Sequence, residues 1–277
     1  MNYELLDSGN GRRLERFGQF ILNRPDPDVL WNKNLRESEW EKCDARFVRT
    51  EKDRGKWVTK NNFPENWIVE HNSLKFKLRL TPFKHTGVFP EQSWQWDYIE
   101  ENLTPNSNFL SLFGYTGIAS LAALKKGAKV TQVDASRPAI TWFKENQEVS
   151  GLGDKQARII IDDCLKFTAR EIKRGNKYDA VIMDPPAYGH GPKGEKWSFN
   201  KDFPILLDNI SQILSSNPLF VLVNAYAISS SSVVLANMFN DKFDKLGGKI
   251  EHGELTLKEI SGGRILSTGI WAKWSSK

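Results

Sequence analysis

Asp184, Pro185, Pro186, Ala187 and Tyr188 bring a carboxylate, two prolines and a phenol ring together directly after the apolar run from Ala180 to Met183. Asp184 and the carbonyl of Pro185 are two hydrogen-bond acceptors suited to holding the N–H groups of an amine. The prolines have no amide hydrogen, so the segment continues neither a sheet nor a helix and is held extended and stiff. Tyr188 offers a flat ring for stacking on another ring. The plainer alternative is a strand terminator followed by a packing tyrosine.

Three other stretches carry chemistry of a related kind. In "LFGYTGIAS", Leu112 to Ser120, Gly114 and Gly117 let the backbone turn tightly and approach a ligand, ahead of a helix whose first amides are unpaired. The stretch is neither the G-x-G-x-x-G dinucleotide fingerprint nor a phosphate loop, and alone it also fits an ordinary strand-to-helix turn. Asp134 in "VTQVDAS" follows about 20 residues on, where a carboxylate can accept both hydroxyls of a ribose. It could instead cap the helix that Pro138 opens, although Ser136 can do that by itself. Asp162 and Asp163 follow three isoleucines. Asp163, the last acidic residue, could accept from an adenine amino group while the amide of Cys164 faces the ring. A helix cap before Leu165 is the competing role.

These residues need strand ends to hold them, and the hydropathy pattern supplies such ends. From about residue 105, apolar runs alternate with helix-length segments: "NFLSLF" then "IASLAALKKG", "KVTQVDA" then "PAITWFKENQEVSG", "ARIIIDDC" then "LKFTAREIKRG", "YDAVIMD" then a helix over Asp202 to Leu214. "PLFVLVNAYAI", a helix from Ser230 to Phe243, and two strands joined at Ser261, Gly262 and Gly263 complete the chain. Such alternation with right-handed crossovers builds a doubly wound, mostly parallel α/β sheet of seven strands: five parallel ones and a closing hairpin. Ligands bind such sheets outside the carboxyl ends of the strands. Before residue 105, short alternating runs such as "WIVEHNSLKFKLRLTPF", Trp67 to Phe83, read as strands. The organisation expected is a small β-rich domain over residues 1–90, a candidate substrate-binding module, and a catalytic domain over residues 91–277.

Composition narrows the classes. The 277 residues are 39% hydrophobic and 26% charged, an ordinary globular balance. No apolar run is long enough for a signal peptide or a membrane helix, which leads us to expect a soluble, cytoplasmic protein without a membrane partner. Cys43 and Cys164 are the only cysteines, too few for a disulfide framework or a zinc cluster, and no metal is expected. Residues 1–90 hold 17 Lys and Arg against 13 Asp and Glu, so nearly all of the +5 net charge sits at the front. With Trp31, Trp40, Trp57 and Trp67 that segment could be a nucleic-acid surface, or the tryptophans could be its core. His190, Lys193 and Lys196 read as a basic loop near Asp184. His71 and His85 are candidate bases, although a lone histidine is more often packed or simply exposed.

The order of glycine loop, Asp134, Asp163 and D-P-P-aromatic on four successive strand ends resembles the class I S-adenosylmethionine-dependent methyltransferases, over residues 84 to 277. Within that class it is similar to the bacterial 23S ribosomal RNA methyltransferases that read T-G-x-F-x-x-Q before the glycine loop. This chain has "KHTGVFPEQ", Lys84 to Gln92, and "DPPAYG", Asp184 to Gly189. The resemblance implies a Rossmann-like fold with an antiparallel last strand, and S-adenosyl-L-methionine as cofactor. It implies that Phe113, Gly114, Tyr115, Thr116 and Gly117 hold the methionine end, Asp134 and Ala135 the ribose, and Asp163 and Cys164 the adenine. Thr86, Gly87 and Gln92 would close over the cofactor, and Asp184 would touch it while acting with Pro185 and Tyr188 in catalysis. An RNA substrate is implied as well, with a small molecule, a protein, or cofactor binding without catalysis as the alternatives. Two departures bear on the chemistry. Ala187 stands between the prolines and the aromatic, unlike the tight N-P-P-Y pattern of amino-group methyltransferases. The fifth strand ends "VNAYAISSSS" without the cysteine that covalent carbon-5 methylation needs, which leaves a nitrogen or oxygen acceptor, with nitrogen expected ahead of carbon 5.

Overall fold

Alternation along the first ninety residues produces short strands whose inward side chains are aromatic or aliphatic. In the computed structural model, which describes residues 1–50 and 54–276, these are β1 (Tyr3–Gly9), β2 (Arg12–Phe17) and β3 (Phe20–Pro25), a helical turn α1 (Glu37–Trp40), then β4 (Ala45–Arg49), β5 (Gly55–Thr59), β6 (Trp67–His71) and β7 (Leu74–Leu78). The first five form one sheet in the order β1-β2-β3-β4-β5, while β6 and β7 pair as a hairpin. β3 and β4 run parallel, and the other neighbours are antiparallel.

The second part runs α2 (Ser93–Asn102), β8 (Asn108–Leu112), α3 (Ile118–Lys125), β9 (Lys129–Asp134), α4 (Arg137–Val149), β10 (Ala157–Ile161), α5 (Cys164–Arg174), β11 (Ala180–Met183), β12 (Tyr188–His190), β13 (Lys196–Ser198), α6 (Phe199–Ile213), β14 (Phe220–Ala225), α7 (Ser232–Phe243), β15 (Lys249–Lys258) and β16 (Ile265–Ser275). Seven of these strands make one sheet, β10-β9-β8-β11-β14-β16-β15. Its first five members are parallel, and β16 runs antiparallel to β14. This is the doubly wound sheet that the alternation called for, with the antiparallel last strand of the Rossmann-like fold that the resemblance implied. β11 and β14 are buried at every position because they lie inside the sheet and are covered on both faces. Helix ends follow local chemistry: Ser136 accepts from the Ala139 amide at the start of α4, and Gly175, at φ 70°, closes α5.

By contacts the chain forms two compact units, Met1–Ser93 with Thr256–Ser267, and Trp94–Leu255 with Thr268–Lys277. The tip of the closing hairpin thus groups with the front strands, an association that no linear boundary expresses. Its cause is a buried polar cluster inside the first unit. Glu259, 1% exposed, accepts from the Ser8 amide at 3.1 Å and from Arg264 at 2.8 Å, while Asp7 accepts from the Trp40 indole at 2.8 Å and from Ser261 at 2.7 Å.

The front tryptophans are structural. Trp40 and Trp67 are buried, Trp31 and Trp57 half-buried, and each indole N–H has a partner within the same unit. That unit also buries Glu15 completely. Burial raises its carboxyl pKa, but Arg13 and Arg24 outweigh that and hold it at about 2; Arg24 donates two bonds of 2.7 Å. A depressed folded pKa contributes stability that is present above the unfolded value of 4.5 and lost as pH falls toward 2. Glu15→Gln should therefore lower the melting temperature at pH 7, and the gap to the parent should close as the pH is taken from 4.5 to 2 in a series of thermal melts.

Candidate active site

Parallel register brings the singled-out residues to one edge. Leu112 is level with Val133 and with Met183, Asp134 with Ile161, and Met183 with Val223. The ladder continues a step further, for the Gly114 amide reaches the Val133 carbonyl at 3.1 Å, the Asp162 amide reaches Asp134, and the Asp184 amide reaches Leu112, the last two at 3.2 Å. The loop from Phe113 to Gly117, Asp134, Asp162 and Asp184 therefore leave the same end of the sheet from neighbouring strands.

The glycine loop is wound by backbone strain. Phe113, Tyr115 and Gly117 all have positive φ, at 54°, 46° and 78°. The turn is closed by its own amides, Gly114 onto the Val133 carbonyl and Gly117 onto the Gly114 carbonyl at 2.9 Å. At Gly117 a side chain would place Cβ only 1.9 Å from the Phe143 ring, so glycine is required for space as well as for conformation. Asp134 stands across from the loop, with its Oδ2 accepting the Tyr115 amide at 2.8 Å and its Oδ1 the Ser136 amide at 2.7 Å. Burial pushes its carboxyl above the ordinary aspartate value, and these two amides oppose the shift. Ala135 is half-buried beside it.

Of the two acids after β10, Asp162 is paired with Arg170. Asp163, 9% exposed, is the cap of α5 and accepts the Lys166 amide at 2.9 Å. Cys164 is buried; burial pushes its thiol well above the ordinary range, against a hydrogen bond from the Phe113 backbone.

At the end of β11, Asp184 is half-buried, Pro185 buried and Pro186 exposed. The residues after them differ from the irregular basic loop expected. β12 and β13 form a small hairpin, with Tyr188 opposite Ser198 and His190 opposite Lys196. Its turn is tied by the Gly191 amide to the Glu195 carbonyl at 2.8 Å and by Lys166 to Glu195 at 2.7 Å. Tyr188 is 79% exposed at the start of this hairpin. The Trp197 indole donates to the Pro186 carbonyl at 2.7 Å, and its ring lies 4.9 Å from that of Phe113. One side chain thus ties the glycine loop to the proline segment. Trp197→Phe should keep the ring contact and lose the bond to Pro186, lowering turnover severalfold while the cofactor dissociation constant, read by calorimetry, stays within about twofold of the parent.

Thr86, Gly87 and Gln92 belong to the first unit. Thr86 is fully buried with its Oγ1 unpartnered among the described residues, Gly87 takes φ 100°, and Gln92 is buried. His85, in the same unit, is pushed down to about 4 by burial and by Arg24, Lys84 and Arg13, so it is neutral at physiological pH.

Four buried amide side chains around these strand ends were not singled out by sequence. Gln132, wholly buried in β9, accepts from Ser120 and donates to the Tyr115 carbonyl at 3.2 Å. Asn146 on α4 holds the Thr116 carbonyl at 3.0 Å. Asn224, which follows Val223 as Asp184 follows Met183, forms a reciprocal amide pair with Gln95 at 2.6 and 2.9 Å. A lone amide inside an apolar strand, as in "KVTQVD" or "FVLVNA", was the available signal, because an unpaired buried amide is costly.

A family model described as S-adenosylmethionine-dependent methyltransferase matches residues 45–239. The solved S-adenosylmethionine-dependent methyltransferase of Agrobacterium tumefaciens is 37% identical, with a TM-score of 0.96 over 100% of this chain and 91% of that one. Among curated proteins, ribosomal RNA large subunit methyltransferase K/L of Shewanella frigidimarina is 33% identical over 159 residues, 57% of this chain and 22% of that protein. Ribosomal RNA large subunit methyltransferase K of Neisseria meningitidis is 24% identical over 244 residues, 85% of this chain and 68% of its own length. The chain thus spans about a fifth of the length of the K/L relative it matches. No helix among the described residues is long and apolar enough to cross a membrane.

Proposed function

The chain belongs to the S-adenosylmethionine-dependent methyltransferase family, and on that premise we propose that it methylates a nitrogen atom of an RNA base. The observation that carries the reading is the common edge: a left-handed loop at Phe113 to Gly117, Asp134 and Asp184 on three adjacent parallel strands. When bound, the cofactor supplies an already activated methyl group, so the chain's task is orientation and proton removal. The donor set fits such a group. Asp134 retains acceptor capacity beyond its two amide bonds for a ribose diol. Gly114 and Gly117 let the Phe113–Gly117 turn approach the methionine end closely, and on this reading Asp163 with the Cys164 amide takes the adenine.

On the acceptor side, Asp184 and the Pro185 carbonyl fix the N–H groups of the base and aim its lone pair. Trp197 holds the neighbouring Pro186 carbonyl, which keeps the segment in place, and Tyr188 offers its exposed ring to the target. Covalent addition at carbon 5 is poorly served, because the Cys164 thiol is buried with a raised pKa and so gives little thiolate. The RNA class is supported by the names of the relatives and by the positive net charge, and it places the protein's work in the cytoplasm.

The decisive experiment supplies tritiated cofactor and RNA from cells lacking the gene. Label should enter an RNA fraction, and nucleoside digestion should recover it as an N-methylated base. No transfer to any RNA fraction would overturn the substrate class, and label on carbon would overturn the acceptor.

A further inference from the structure

The positive charge of this chain has a definite address. Between Ala45 and Lys60 stand six Lys and Arg against two Asp and Glu, close to the surplus of the whole chain. Within this stretch lie β4 and β5, and β5 is an edge strand of the front sheet. Register sets Arg46 opposite Val58 and Val48 opposite Lys56, so two cations and two valines share one face. All four are exposed, the valines at 42% and 61%, while Phe47 on the other face is buried. Arg49 and Arg54 stand exposed at the end of the pair.

Among the described residues Arg46, Arg49, Arg54 and Lys56 form no ion pair, and the nearby Asp44 is engaged by Lys60 and by the Ile21 amide. Arg12 adds a further guanidinium beside Arg46: it bonds the Asn23 and Phe47 carbonyls at 3.0 and 2.9 Å, and Asn23 is level with Arg46. Burial, and after it the charge of Arg46, lowers the Arg12 pKa to about 10. Holding cations together costs stability, and a polyanion relieves that cost.

We propose that the exposed face of β4 and β5, with Arg46, Lys56 and the flanking Arg12, Arg49 and Arg54, docks the phosphate backbone of the RNA substrate. The inference rests on the RNA reading above and gives the front unit a task in it. Cations at alternate positions of an extended pair meet successive phosphates, and Val48 and Val58 between them present an apolar surface to sugars. Contacts of this kind hold and orient RNA without reading its sequence.

The test is Arg46→Glu with Lys56→Glu in the full chain, beside a control, Lys144→Glu with Lys155→Glu, that makes the same charge change at exposed sites on and after α4. A fluorescent single-stranded oligoribonucleotide is titrated at several salt concentrations. The first pair should weaken binding at least about tenfold at 0.1 M salt and flatten the log–log salt slope by about 0.7 per lost contact, while the control and cofactor binding by calorimetry stay within about twofold. Methyl transfer to RNA should show a raised KM with kcat kept. Equal RNA affinity and salt slope in parent and variant would overturn the docking surface and leave the RNA reading intact if the parent methylates RNA. A parent that neither binds nor methylates RNA would sink both. A variant that loses affinity only for phosphatidylserine vesicles would assign the patch to a membrane and reject the proposal.

Discussion

Asp184→Ala should reduce methyl transfer roughly a hundredfold or more while the cofactor dissociation constant moves by no more than about threefold. The expectation follows from what the side chain can touch. Asp184 leaves the sheet immediately after Met183, between the ends of β8 and β14, and in the proposed function its carboxylate meets the N–H groups of the acceptor base. Its backbone bond to the Leu112 carbonyl survives the substitution. The variant should therefore melt within a few degrees of the parent. Asp184→Asn, which keeps one acceptor oxygen in place, should recover part of the lost turnover. Single-turnover kinetics with saturating cofactor, set beside calorimetry, separates the two effects. A variant that loses cofactor affinity and turnover in parallel would move Asp184 from the acceptor side to the cofactor side.

Asp134→Ala should weaken cofactor binding by a factor of roughly ten to a thousand, since hydrogen bonds to a charged acceptor contribute about 1.5–3 kcal/mol each. Part of that loss is indirect, because the Tyr115 and Ser136 amides lose their acceptor along with the ribose. Asp134→Asn separates the contributions: its single side-chain oxygen can serve one amide, and affinity should fall between parent and alanine variant. Acidity should act on the same residue. Burial raises the Asp134 carboxyl above the ordinary 3.8, and only the ionised form accepts two hydroxyls. Affinity is then full well above the raised pKa and falls as the pH drops through it. Calorimetry across that acid range should show a steeper loss for the parent than for Asp134→Asn, whose amide does not titrate. Full affinity in Asp134→Ala would contradict the ribose assignment.

Most of the architecture was legible because strand–helix alternation is a local pattern. Fully apolar runs such as "AVIM" and "FVLV" could only be strands buried on both faces. The caps were equally local: Ser136 and Asp163 each bond an amide three residues ahead. Parallel connectivity then carried Gly114, Asp134, Asp163 and Asp184 to one edge. The basic stretch after Pro186 was read as a loop and proved to be a hairpin, because "YGH" and "KWS" are too short for alternation to show, and the pairing rests on the turn bonds of Glu195 and on Trp197.

What the chain alone determined, then, is the order of strands and helices and the residue type at each strand end, since both follow from periodicity and turn chemistry over a few residues. Only the tertiary structure decided which side chains hold those ends in place. Gln95 meets Asn224 across 129 positions, and Ser8 meets Glu259 across 251. Gln132 and Asn146 reach back to the glycine loop from a strand and a helix that had first to fold beside it. A buried polar group must find its partner wherever packing places one, and the identity of that partner is a property of the assembled fold.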